Sequence, residues 1–228
     1  MSAARAGRRK IILDFGFYNM DCMDGMKEFP DGYFDLAIVD PPYGIDAGNM
    51  QMGSGKHSFA NHKSDWDKTI PSSEYFSELF RVSKNQIIWG GNYFTEYLKP
   101  SKHWIVWDKQ NPNLSFAEGE LAWVRKGKLL RIFHKYSVPN SASGTKIHPT
   151  QKPVELYAWI LQNYAKQGDK ILDTHVGSGS SLIACGRYKH DYVGFEIDEY
   201  YYKIARERID NELSQMSIFD FGFNPYQE

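Results

Sequence analysis

The run Phe34-Asp35-Leu36-Ala37-Ile38-Val39 stops at Asp40-Pro41-Pro42-Tyr43. A run that is apolar at nearly every position, closed by two prolines that cannot donate to a ladder, reads as a buried strand opening into a loop. Strand-like and helix-like runs alternate along the rest of the chain. That pattern points to an α/β fold, a mostly parallel sheet with helices on both faces. Strands are expected at 12–19, 34–40, 85–89, 103–108, 121–125, 129–135, 170–174 and 192–196. Helices are expected at 22–29, 72–82, 93–98, 153–166, 179–188 and 199–213, with Pro153 as a first helical residue and Asp198 as an N-cap.

With 228 residues the chain can build one α/β domain with a full core. A single domain is expected over 1–213, followed by a tail over 214–228. No run is long and apolar enough to span a membrane. The basic start, Met1 to Lys10, is followed by only Ile11-Ile12-Leu13 before Asp14, too short for a signal-peptide core. The two cysteines, Cys22 and Cys185, show no metal-ligand spacing. The expectation is a cytoplasmic protein with no metal and no membrane partner.

Asp40–Tyr43 makes a definite chemical proposal. An amine on a flat heteroaromatic ring is a poor nucleophile, because its lone pair is delocalised into the ring. A carboxylate and a fixed carbonyl can accept its two N–H groups and favour the pyramidal geometry needed for attack. Pro41 presents such a carbonyl with little freedom, and Tyr43 can stack on a base that has left a duplex. The bland reading is a strand end with Pro-Pro as its stop.

A second constellation lies downstream. Ile171-Leu172-Asp173-Thr174-His175-Val176-Gly177-Ser178-Gly179 reads as a strand, a glycine-rich turn and a helix start. Val193-Gly194-Phe195-Glu196 then ends the next strand in an acid that can bind the two hydroxyls of a ribose. Together they indicate a nucleoside-containing cofactor. No Gly-Lys-Ser/Thr ending argues for ATP, and the third glycine of the dinucleotide fingerprint is missing. His148-Pro149-Thr150-Gln151-Lys152-Pro153 precedes the helix that leads into this strand, where a hydroxyl and free N–H groups can hold a carboxylate. Asp21, before Cys22, can accept a hydrogen bond from a cofactor adenine; taken singly it reads as an N-cap.

Net charge is −1, but it is unevenly placed. Arg125, Lys126, Lys128, Arg131, Lys135, Lys146 and Lys152 fall in a stretch without one Asp or Glu. Such a stretch suits phosphate contacts or a solvated strand pair. Residues 44–67 are rich in Gly, Asn, Ser, His and Lys, have no period and are long for a connection.

These pieces together resemble the S-adenosylmethionine-dependent amino-methyltransferases that act on DNA. They look like the permuted subgroup, found in bacteria and phages, in which the Asp-Pro-Pro-Tyr half precedes the cofactor half. The likeness runs from about Tyr18 to Leu213 and takes in the Trp104–Lys109 and Ser115–Trp123 segments. It implies a seven-stranded Rossmann-like sheet, with 44–68 as a flexible loop and 125–147 as a short target-recognition insertion. It also implies methyl transfer from S-adenosylmethionine, leaving S-adenosylhomocysteine, to an amine of a flipped base in double-stranded DNA, and so a nucleoid-associated protein. Asp40, Pro41, Pro42 and Tyr43 would hold the base. Asp21, Cys22, Thr150, Lys152, Asp173, His175, Gly177, Gly179 and Glu196 would hold the cofactor. Lys56, Lys126, Lys128, Arg131 and Lys135 would contact DNA.

The chain departs from the family at His175, where the usual turn, Asp-Pro-Phe, carries an aromatic ring. A satisfied, partly buried histidine is the expectation there. Asp40, where cytosine-N4 enzymes usually have Ser, resembles the adenine-N6 enzymes. A cytosine-N4 target, an amine in RNA, a DNA-binding protein without catalysis and a nicotinamide-dependent oxidoreductase stay open as alternatives. The short insertion suggests a short recognition sequence, modest selectivity or help from a second subunit in a homodimer. Gln215-Met216-Ser217-Ile218-Phe219 resembles the peptide by which bacterial proteins dock onto the sliding clamp, with Gln215, Ile218 and Phe219 as anchors. The same residues can instead pack back on the domain.

Overall fold

The computed structural model describes residues 13–46, 67–111, 117–136, 147, 148 and 150–219. Its elements in chain order are β1 (Gly16–Asn19), α1 (Cys22–Lys27), β2 (Phe34–Val39), α2 (Ser73–Val82), β3 (Ser83–Trp89), β4 (Trp104–Asp108), β5 (Gly119–Val124), β6 (Arg131–His134), α3 (Val154–Tyr164), β7 (Ile171–Asp173), α4 (Ser180–Arg187), β8 (Tyr192–Glu196) and α5 (Glu199–Phe219). The strands form one sheet in the order β1-β8-β7-β2-β3-β5-β4-β6. All neighbours are parallel except at β5, which is antiparallel to β3 and β4.

The two-residue period of the strands sends side chains to two cores. Leu36, Ile38, Ile87, Trp89 and Ile171 face α3, α4 and α5. Ala37, Val39, Ile88 and Leu172 face α1 and α2. Nearly continuous apolar runs such as Leu36–Val39 are therefore required, since both faces of the central strands are covered there. At the ends of β2 and β7, which are neighbours, the chain departs to opposite faces, toward α2 and α4 respectively. This divergence opens a crevice at the carboxyl ends of the two strands, the usual place for a ligand in such sheets.

The sheet has eight strands, as the residue pattern indicates, one more than the seven implied by the resemblance; β6, in the basic insertion, lies beyond β4 at one edge. The helix expected at 93–98 is instead a 3₁₀ turn, Gly91–Tyr93, followed by a turn in which the Leu98 N–H bonds to the Phe94 carbonyl at 3.1 Å. Pro153 is the N-cap of α3 and not its first residue. The Asp198 carboxylate accepts from the Tyr200 and Tyr201 N–H groups at 2.9 and 3.2 Å, the expected cap of α5. That helix runs on to Phe219, so no break in secondary structure marks residue 213. No described helix is long and apolar enough to cross a membrane.

Candidate active site

Asp40 follows directly on β2, at the mouth of the crevice. Both its oxygens are engaged: Oδ2 lies 2.5 Å from Lys152 Nζ, and Oδ1 accepts the Tyr43 hydroxyl. The motif is fixed from below. The Tyr43 and Gly44 N–H groups both donate to Asp67 Oδ1, at 2.6 and 3.0 Å, so Asp67 pins the exit of the proline turn. The Tyr43 ring stacks on Tyr93, centroids 4.9 Å apart and planes 12° apart. Gly90, at φ +68°, makes room for it: a Cβ there would sit 2.2 Å from Tyr43 Cε1. Burial, with the Asp40 charge behind it, holds the Tyr43 phenol well above its usual range, so it stays a donor.

Lys152 is a buried cation between two carboxylates. Its Nζ is 3.0 Å from Glu120 Oε2, and Glu120 Oε1 is in turn 2.7 Å from Lys109 Nζ. Burial pulls the Lys152 ammonium down, but Asp40 and Glu120 outweigh it and lift the group above its ordinary value. Burial also lifts the Asp40 carboxyl, and Lys152 opposes that rise. Asp67, Gly90, Tyr93, Lys109 and Glu120 were not singled out by the sequence. The segments that resemble the family contain Lys109 and Glu120, but nothing within those segments marks either residue.

Beside the motif, on the α1–α2 side, lies a cleft of about 380 Å³, within the range of small-molecule sites. Asp21, Cys22, Pro42, His175 and Glu196 all border it, so Pro42 of the expected catalytic turn and four of the nine expected cofactor residues share one cavity. Glu196 receives the Gly177 and Asp198 N–H groups, each at 2.9 Å, one on each oxygen. Burial raises its pKa, and these donors oppose the rise. Asp21 caps α1 through Oδ1, which accepts from Met23 N–H at 2.7 Å, and leaves Oδ2 for a ligand. Ile197, 62% exposed, offers an apolar surface at the cleft that was not foreseen, although it directly follows the acid.

Of the remaining expected cofactor residues, Gly177 adjoins the cleft through its N–H on Glu196, and Thr150, Lys152, Asp173 and Gly179 lie outside its lining. Thr150 bonds through Oγ1 to His148 Nδ1 at 3.1 Å, and the His148 ring sits against Gly177 and Tyr201. Asp173 is buried and ties β7 to α4 by accepting from the Ser181 hydroxyl and the His175 N–H. Gly179, at φ +80°, faces α5: a Cβ would meet Ile209 Cγ1 at 2.9 Å, so this glycine serves helix packing. His175 packs edge-on to Tyr75 with its Nδ1 2.9 Å from Thr174 Oγ1, and burial lowers its pKa to about 4. It is a neutral, hydrogen-bonded ring. Burial raises the Cys22 thiol to about 12 and pushes that of Cys185 up as well, so neither is a nucleophile.

The basic stretch does not form one face. The Arg125 N–H bonds to the Gln86 carbonyl and the Lys126 N–H to Asn85 Oδ1, near the start of β3. Lys128 reaches Asn163 near the end of α3, and Arg131 pairs with Ile105 at the start of β4 and lies over Trp159. These residues occupy the end of the sheet opposite Asp40. Lys135 is at the catalytic end, its N–H on the Asp108 carbonyl and its ammonium 2.7 Å from Glu155. Lys56 lies outside the described residues.

The type II methyltransferase M2.DpnII of Streptococcus pneumoniae is 27% identical, the match covering 90% of this chain and 91% of that protein. The crystal structure of an M1.HpyAVI–SAM complex superposes with a TM-score of 0.58 at 20% identity, over 85% of this chain and 98% of that one. The PvuII cytosine-N4-specific DNA methyltransferase does so at 0.57 and 13%, over 92% and 95%. Both are likenesses of fold. The model of the N6/N4 DNA methylases matches residues 87–207, more than half of the chain, and the chain belongs to that family.

Proposed function

We propose that this DNA methylase transfers the methyl group of S-adenosylmethionine to N6 of an adenine flipped out of double-stranded DNA, as the modification half of a restriction system. The observation that carries the reading is the position of Asp40, a carboxylate held by Lys152 two residues before Pro42, which lines one cleft with Asp21 and Glu196. When bound, S-adenosylmethionine supplies an electrophilic methyl on a sulfonium and leaves as S-adenosylhomocysteine. Glu196 would take the ribose hydroxyls and Asp21 Oδ2 the adenine amine, with Ile197 against the ring.

The base reaches Asp40 by displacing the Tyr43 hydroxyl from Oδ1. Asp40 and the Pro41 carbonyl then accept the two N–H groups of the target amine, which frees its lone pair. As the nitrogen takes the methyl it becomes cationic; Asp40 stabilises that charge and is the first acceptor for the proton the nitrogen sheds. The order of the halves, with Asp40–Tyr43 ahead of Asp173–Gly179, agrees with the permuted subgroup. The type II label of M2.DpnII supports a role in restriction–modification.

Incubation with labelled cofactor and unmethylated DNA, followed by nucleoside analysis, tests the reaction. N6-methyladenine is the expected product, and N4-methylcytosine in its place would overturn the choice of base. Asp40→Ala is expected to abolish transfer and to leave cofactor affinity by titration calorimetry near that of the wild type.

A further inference from the structure

Lys109, Glu120, Lys152 and Asp40 form a chain of alternating charge behind the proposed acceptor, with contacts of 2.7, 3.0 and 2.5 Å. The Lys152 side chain is 2% exposed, and its ammonium lies over the Trp89 ring at 5.2 Å. The two oxygens of Asp40 are held differently. Oδ1 carries a hydroxyl from a neutral phenol, which an incoming amine can replace, whereas Oδ2 carries a buried ion pair whose rupture leaves an uncompensated charge. Lys152 therefore decides which oxygen faces the base. A lone ammonium in that position would oppose the cation that forms on the amine. Glu120 sits on the far side of Lys152 and cancels it.

We propose that Glu120 and Lys152 are positioning residues for methyl transfer: Lys152 clamps Asp40 Oδ2 so that Oδ1 meets the amine, and Glu120 holds Lys152 there and offsets its charge. The proposal rests on the reading of Asp40 as the amine acceptor. Neither residue belongs to the cofactor cleft, so their removal bears on turnover and not on cofactor binding.

The test is methyl incorporation into unmethylated genomic DNA at saturating DNA and cofactor, with cofactor affinity measured in parallel by calorimetry. Glu120→Gln is expected to lower kcat by about tenfold or more, less than the loss of a group that touches the transition state, with the KM for cofactor unchanged. Because Glu120 acts through Lys152, the double variant Glu120→Gln with Lys152→Met is expected to be no slower than Lys152→Met alone. Lys152→Arg keeps the charge between the two carboxylates and is expected to retain far more turnover than Lys152→Met, which guards against loss of the fold as the cause. Wild-type kcat in Glu120→Gln, multiplying losses in the double variant, or equal losses in the Arg and Met variants would each overturn the proposal. A wild-type protein that methylates no base would overturn the reading of Asp40 itself, and this inference with it.

Discussion

His175 and Asp173 stand two positions apart, and burial acts on both in opposite senses. It lowers the His175 imidazole from 6.5 to about 4 and raises the Asp173 carboxyl from 3.8 to about 7. A base with a depressed pKa binds fewer protons folded than unfolded between those two values. Its share of stability is complete above pH 6.5 and is lost as pH falls toward 4; Asp173 works the other way, its share being lost as pH rises from 3.8 toward 7. His175→Phe removes the first effect and leaves the second. Urea unfolding at pH 7.5 and 4.5 is expected to show the variant gaining about 2–3 kcal/mol on the wild type over that interval. Parallel curves would mean that His175 is solvated enough to titrate freely. His175 was legible as a satisfied ring, because it breaks a contiguous motif. The Asp40–Tyr43 turn was legible for the same reason, since it is written in four consecutive residues. In the sequence Lys152 stands among the expected cofactor residues, and nothing marks Glu120, Asp67 or Gly90. Each of these acts across the fold, as Lys152 does on Asp40 from 112 positions away, and no local pattern records such a contact.

Among the elements, strands were read best, because a segment buried on both faces needs a nearly continuous apolar run, as in Leu36–Val39 of β2, Ile87–Trp89 of β3 and Val193–Phe195 of β8. Residues 93–98 have helical composition but not a helix. Gly90 takes a left-handed turn to clear Tyr43, and Tyr93 is drawn onto the Tyr43 ring, so the chain tightens there into a 3₁₀ turn. The end of α5 differs for a plainer reason. Leu213 packs against Gly186 of α4, and no glycine or proline follows it before Phe219, so nothing stops the helix. This places Gln215, Ile218 and Phe219 in helix, where they were expected in a tail. A clamp groove that takes an extended peptide could receive them only after the last turns of α5 unwind, which the end of a helix does at low cost. If the resemblance of Gln215–Phe219 to a clamp-docking peptide holds, a clamp column retains the wild type and releases a Gln215→Ala, Ile218→Ala, Phe219→Ala variant. Equal retention of the two would dispose of it.

For the whole molecule, the sheet separates charge from chemistry. All the parallel strands point their carboxyl ends toward Asp40, and β5, being antiparallel, carries Arg125 and Lys126 to the far end. With Asp40 as the proposed acceptor, a flipped base would enter at that end, and the duplex is proposed to lie there. The basic stretch as a whole suits phosphate contacts in the sequence, but a run of residues that follows a reversed strand cannot stay on one end of a sheet. DNA contact is therefore proposed for Lys135, at the catalytic end, and for Lys56, in the long segment that follows Tyr43. Each phosphate that a cation neutralises steepens the fall of log K with log salt by about 0.9. Lys56→Ala with Lys135→Ala is expected to flatten the slope by up to about 1.8. Lys126→Ala, Lys128→Ala and Arg131→Ala together are expected to leave it near the wild-type value, although they remove one more charge. Filter binding across a salt series measures both. A flatter slope in the triple variant alone would put the duplex against the β6 edge and would require the DNA to bend around the sheet to deliver its base to Asp40.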